Sequence, residues 1–128
     1  MKQFRNPPDV PIPGAAYTHQ IEIPPGERLL VLSGQVGRRV DGSIPAEAAA
    51  QMEVAFENLQ NNLKAAGMDM SDIVKLTFFI VGEMPSAERA RVIAAWMGDH
   101  KPCMTLIFVS ALAAPEYKVE VDAWASKA

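Results

Sequence analysis

The sequence predicts an α+β fold, a mixed β-sheet with two helices packed on one of its faces. Three observations carry this. Five segments read as strands: Tyr17–Ile23, Arg28–Val36, Asp72–Val81 and the two that make up Pro102–Trp124. Between them, Pro45–Ala66 and Pro85–Met97 switch to the three-four spacing of amphipathic helices. Each helix therefore lies between strands, and burying both helices on one sheet face is the economical packing.

Taking the elements in order, residues 1–16 form an extended N-terminal arm, with four prolines and no periodicity between Asn6 and Gly14. Tyr17, His19, Ile21 and Ile23 alternate with Thr18, Gln20 and Glu22, the mark of a half-buried strand. Pro24-Pro25-Gly26 turns the chain into Arg28–Val36, whose LLVL run reads as buried. Asp41-Gly42 is a turn signal that could join a short hairpin.

Met52, Ala55, Phe56, Leu59, Leu63 and Ala66 then make one helical stripe. Pro45 suits its first turn, Glu47 complements the dipole there, and Gly67 stops it. In Asp72–Val81, Val74, Leu76, Phe78 and Ile80 share one face, with Lys75 and Thr77 on the other. The second helix buries Val92, Ile93, Trp96 and Met97 and ends at Gly98. In the last strand Val119, Val121 and Ala123 face one way and Lys118, Glu120, Asp122 and Trp124 the other.

The order is ββ(β)αβαββ, a single domain over residues 1–128 with no internal repeat. The sheet face away from the helices should carry Thr77, Phe79, Phe108 and Trp124. That is too apolar to leave wet, so other subunits should cover it.

Composition narrows the function. Of the 128 residues, 49% are hydrophobic and 21% charged, as in ordinary globular proteins. A net charge of -3 offers no basic surplus for phosphates, so nucleic acid is an unlikely partner. The single cysteine, Cys103, fits a reducing compartment. With no signal-like segment and no membrane-length apolar run, a soluble cytoplasmic protein is expected.

Catalytic signatures are few. His19 and His100 are the only histidines, and one H-x-x-C pair with Cys103 is too little for zinc, so no metal site is expected. No phosphate-binding glycine loop or nucleophile elbow occurs, and no cofactor is implied. Ser33-Gly34-Gln35 closes a strand, either as a bulge or as backbone that a ligand can approach. Glu120 could hold or activate water beside a cleft, or simply pair with Lys118 or Lys75. Tyr17 could lid a cleft or be an ordinary strand aromatic.

Several segments together carry a family resemblance. They are Tyr17 after the proline arm, LVLSGQVG at Leu30–Gly37, NLKAAGMDMSDIVKLTFFI at Asn62–Ile80, then VSAL and KVEVDAWA. In these the chain resembles the Rid family, the RidA/YjgF reactive-intermediate deaminases formerly described as L-PSP endoribonucleases, over nearly its whole length. The resemblance implies a chorismate-mutase-like fold and a homotrimer whose sheets form a central barrel, with ligand clefts between subunits. It also implies hydrolysis of enamine or imine acids to 2-oxo acids and ammonia.

Carried over by position, the cleft residues are Tyr17, Ser33, Gly34, Cys103, Met104 and Thr105, with Glu120 orienting water. The family's P-A-R-S/T motif reads Pro102-Cys103-Met104-Thr105, so methionine stands where an arginine grips the substrate carboxylate. Ala90 stands where the second helix often has asparagine, and the loop preceding that helix is shorter. These departures mark an Arg-less subgroup, binding a small metabolite with weak or absent 2-imino acid deamination. Lys118, Arg38 or Arg39 could supply another cation. The rival readings are a non-catalytic metabolite-binding or partner-regulating trimer and, less favoured, an endoribonuclease.

Overall fold

The computed structural model describes residues 1–128. Its elements are β1 (Gln3–Arg5), β2 (Gln20–Glu22), β3 (Arg28–Val36), α1 (Ala48–Ala65), β4 (Ile73–Val81), α2 (Ser86–Met97), β5 (Cys103–Val109) and β6 (Val119–Lys127). The four long strands form one sheet in the order β3-β6-β4-β5. β4 and β5 run parallel and the other pairs antiparallel, so the sheet is mixed and its free edges are β3 and β5.

The alternation in β4 and β6 works as the sequence implies. Val119, Val121, Ala123 and Ala125 of β6 join Leu76, Phe78 and Ile80 of β4 in a fully buried layer. The α1 stripe, Met52, Phe56, Leu59 and Leu63, closes over it. α2 adds Val92 and Met97, and its Trp96 stacks on Phe56 at 5.8 Å while donating a 2.7 Å hydrogen bond to Glu53 on α1. Both helices thus share one sheet face, giving the chorismate-mutase-like α+β architecture.

Several elements differ from expectation, each for a visible reason. α1 begins at Ala48 rather than Pro45, because the Pro45 carbonyl is taken by the buried Gln51 side chain at 2.8 Å. Its other end is as predicted: Gly67 has φ +71° and donates to Lys64, while Met68 donates to Leu63, the paired bonds of a left-handed glycine cap. No hairpin follows β3; the loop closes on itself through Arg39 and Ser43, with Asp41 accepting from Ser43. The additional strand is instead β1, inside the N-terminal arm, paired antiparallel with β2 as a separate two-stranded sheet.

The Tyr17–Ile23 segment is a strand only over Gln20–Glu22. Before it, Thr18 is buried and fastened to the Lys101 and Pro102 carbonyls, which pulls the segment out of strand geometry. The LLVL run is only half-buried, and on one side: Leu30 and Leu32 pack against the core edge while Leu29 and Val31 are each 55% exposed. Register also moves Phe108 to the helix side, opposite Ile80, where the Arg89 guanidinium lies over its ring. The face away from the helices is still apolar, with Leu29, Val31, Ile107 and Trp124 exposed around Phe79 and Thr77.

Candidate functional site

Edge strand β5 sends its side chains to two different places. Its register with β4 pairs Met104 with Leu76, Leu106 with Phe78 and Phe108 with Ile80, so these three face the helices. Cys103, Thr105 and Ile107 face the other way. On the helix side, β5, α2 and the Gly14–Tyr17 segment enclose a cavity of about 770 Å³. Tyr17, Met104, Leu106, Phe108, Ala90 and Arg89 are among its lining residues. Tyr17 is held there by the Thr18 anchor to the start of β5, and its ring meets His19 edge-on at 5.5 Å.

Arg89 is the only charged residue in that lining. Its Nη1 donates to the Met84 carbonyl at 2.7 Å, and its guanidinium carbon lies 5.7 Å from the Phe108 ring centroid. The two ion pairs of the chain, Lys2–Glu27 and Arg5–Glu22, are elsewhere. Sequence reasoning missed Arg89. The signal was available, because Arg89, Ile93 and Trp96 fall at i, i+4 and i+7 of α2, which puts a cation on the helix's inward stripe.

Lys118, Arg38 and Arg39 are not in the lining. Lys118 is exposed, and Arg39 bonds Ser43 in the loop after β3. Met104 itself is half-buried and packs against the core edge as well as the cavity, so it is partly a structural residue.

The remaining sequence-predicted residues gather on the opposite sheet face. Between Leu32 and Gln35 the β3–β6 register slips, placing Ser33 and Gly34 against one residue of β6 as a bulge. The bulge sets Gly34 directly against the Glu120 carboxylate, closer than any side chain there would allow. Glu120 pairs with Val36 and Phe79 and forms no ion pair: Lys75 donates instead to Thr105 at 2.7 Å, and Lys118 is not bonded to it. One chain thus brings Tyr17 and Met104 together, and separately Ser33, Gly34 and Glu120, but does not join the two groups.

Cys103 and Thr105 lie on the Glu120 face yet on the far edge strand, away from the cavity. Burial pushes the Cys103 thiol up from its ordinary value, which disfavours the thiolate a nucleophile needs. His100 is half-buried rather than a free loop side chain, with Nε2 2.7 Å from the Ile73 carbonyl. No three histidine, cysteine or carboxylate side chains converge as metal ligands.

Known proteins agree with this architecture. The family model described as Endoribonuclease L-PSP matches residues 9–127. Protein HMF1 of Saccharomyces cerevisiae is 30% identical over 80% of this chain and 78% of its own. The 2-iminobutanoate/2-iminopropanoate deaminase of Escherichia coli is 29% identical over 74% of this chain and 77% of its own. Among solved structures, the Rid-family protein YyfB of Yersinia pestis, of unknown function, superposes with a TM-score of 0.85 at 28% identity, over 97% of each chain. With its fold and nearly its whole length accounted for in this way, the chain belongs to the Rid (YjgF, endoribonuclease L-PSP) family.

Proposed function

We propose that the protein is a cytoplasmic homotrimer that binds a small metabolite in clefts between subunits and hydrolyses an imine-like bond with water oriented by Glu120. The observation that carries this is the division of the site between the two edges of the sheet. The cavity with Tyr17 and Met104 opens at the β5 edge, whereas the Ser33–Gly34 bulge lies on the β3 edge, with Glu120 beside it. In a barrel of three such sheets, the β5 edge of one copy meets the β3 edge of the next. That arrangement carries Glu120 of one subunit toward the cavity of its neighbour and covers exposed Leu29, Val31 and Trp124.

Met104 argues for a departure from the reaction named for the Escherichia coli relative. A bidentate arginine–carboxylate contact contributes about 1.5–3 kcal/mol, so its absence from β5 lowers affinity for short 2-imino acids by roughly ten- to a hundredfold. The same apolar corner favours the second reading, a metabolite-binding trimer without turnover. Ribonuclease activity is disfavoured by the net charge of -3.

Two measurements test the proposal. Sedimentation should show a trimer at micromolar concentration; a stable monomer overturns the shared cleft. A coupled assay generating 2-iminobutyrate should release 2-oxo acid barely above the uncatalysed rate. Turnover of another imine that disappears in Glu120→Ala supports hydrolysis, whereas ligand binding with no turnover of any imine supports the second reading.

A further inference from the structure

Apart from Arg89, the cavity between β5 and α2 holds no charge, and ten of its thirteen lining residues are hydrophobic. A guanidinium carries five N–H donors and no acceptor. At Arg89, Nη1 is spent on the Met84 carbonyl, which fixes the head group at the end of the strand–helix connection. The Phe108 ring beneath it, 5.7 Å from the guanidinium carbon, restrains its plane. No other hydrogen bond and no ion pair engages the remaining donors. A cation fixed at both its donor edge and its face, yet without a counter-charge, is preorganised for an anion. Ser86 and Ala87, at the positive end of α2, line the same cavity.

From this geometry we infer that Arg89 is the anion-binding group of the cavity, and that the cavity takes a carboxylate carried on an apolar body. The inference rests on the cavity being the ligand site, as proposed above. The carboxylate lies at the Arg89–Phe108 end, gripped from the helix rather than from β5. Leu106, Ile93 and Met104 receive the apolar body, and Tyr17 closes the side formed by the Gly14–Tyr17 segment. Ala90, next to Arg89, leaves room that a longer side chain would fill. An aryl or branched aliphatic acid satisfies this lining. A two- or three-carbon acid would leave the apolar walls uncovered.

The test is calorimetric titration of the full-length protein with 3-phenylpropanoate and with its neutral amide, 3-phenylpropanamide. The parent protein should bind the carboxylate at least tenfold more tightly than the amide. Arg89→Gln should weaken carboxylate binding ten- to a hundredfold and leave amide binding unchanged. Arg89→Lys, which keeps the charge but loses the fork, should retain a preference for the carboxylate at reduced affinity. Equal binding of carboxylate and amide by the parent overturns the inference while leaving the cavity as a ligand site. So does undiminished carboxylate binding by a folded Arg89→Gln. If Arg89→Gln unfolds, the parent's ratio and Arg89→Lys decide: carboxylate binding undiminished in Arg89→Lys counts against it. If neither probe binds the parent at millimolar concentration, the cavity is not a ligand site and the proposed function falls as well.

Discussion

Gly34 lies directly against the carboxylate of Glu120: a Cβ built on it would overlap Oε2 and come within 2.9 Å of Cγ. Its φ is not in the left-handed region, so the glycine is there for space and not for backbone freedom. Gly34→Ala should therefore act on Glu120. Because the displaced group is the flexible end of a half-buried side chain, the expected stability loss is below about 1 kcal/mol. Whatever turnover the protein has should fall as far as in Glu120→Ala. A stable Gly34→Ala protein with parental turnover would show that Glu120's position is immaterial.

Gln51 joins three chain segments from inside α1. It is fully buried, donating to the Pro45 and Glu116 carbonyls at 2.8 and 2.9 Å and accepting from the Lys118 N–H at 2.7 Å. Gly37 packs against its backbone, where an added Cβ would lie 2.6 Å from the Gln51 Cα. Gln51→Leu keeps the volume roughly but strands those backbone groups. It should cost about 2–4 kcal/mol, read as a lower denaturation midpoint with an unchanged m-value.

Glu27 links the chain's start to its end. Hydrogen bonds from Ser126 and Lys2 lower its carboxyl pKa below the ordinary 4.5. A depressed native pKa means that the unfolded chain takes up the proton first. The stabilisation is therefore complete above the ordinary glutamate range and is lost as pH falls through the lowered native value. Glu27→Gln should flatten the fall of thermal midpoint below about pH 4.5 while changing the slope near neutrality little. An unchanged acid slope would assign acid sensitivity elsewhere, with Asp69, lowered by its hydrogen bonds from Ser71, the next to test.

Much of the fold is written in hydrophobic period. Strands β4 and β6 and helix α1 are legible because one face of each is buried in a single chain, and α2 because Val92 and Met97 are buried with Ile93 and Trp96 half-buried beside them. β5 was legible as a strand but not in its phase. Its CMTLIFV sequence is apolar on both faces, so alternation could not show that Met104 and Phe108 face the helices, and only the parallel register with β4 fixes it. β1 was hidden because three residues among prolines carry no period, and its pairing with β2 is a tertiary fact. The candidate residues are legible one by one: Ser33-Gly34-Gln35, Tyr17 and Met104 can all be named from the sequence. Their division between two sheet faces is not legible, and Arg89 is hidden because Glu88, Arg89 and Arg91 together read as the solvated face of α2.

Met104 offers the sharpest test of where the family's arginine has gone. Met104 does not stand clear of the core: it faces the helices, packs against the core edge and lines the cavity. Met104→Arg can turn its charged head into the roughly 770 Å³ of open space while its stem covers Leu76 and Leu106. Lost packing and the proximity of a second cation, Arg89, should together cost about 1–2 kcal/mol, leaving a folded protein of parental oligomeric state. With a carboxylate grip restored on β5, the variant should gain measurable hydrolysis of 2-iminobutyrate. Met104→Arg combined with Glu120→Ala should not, because the grip alone does not orient water. Tighter binding of short 2-oxo acids without turnover would still place the carboxylate corner at Met104 but assign Ala90 a share in the lost chemistry. If Met104→Arg aggregates or melts far below the parent, the position is core packing first, and its match to the family's arginine is in sequence only.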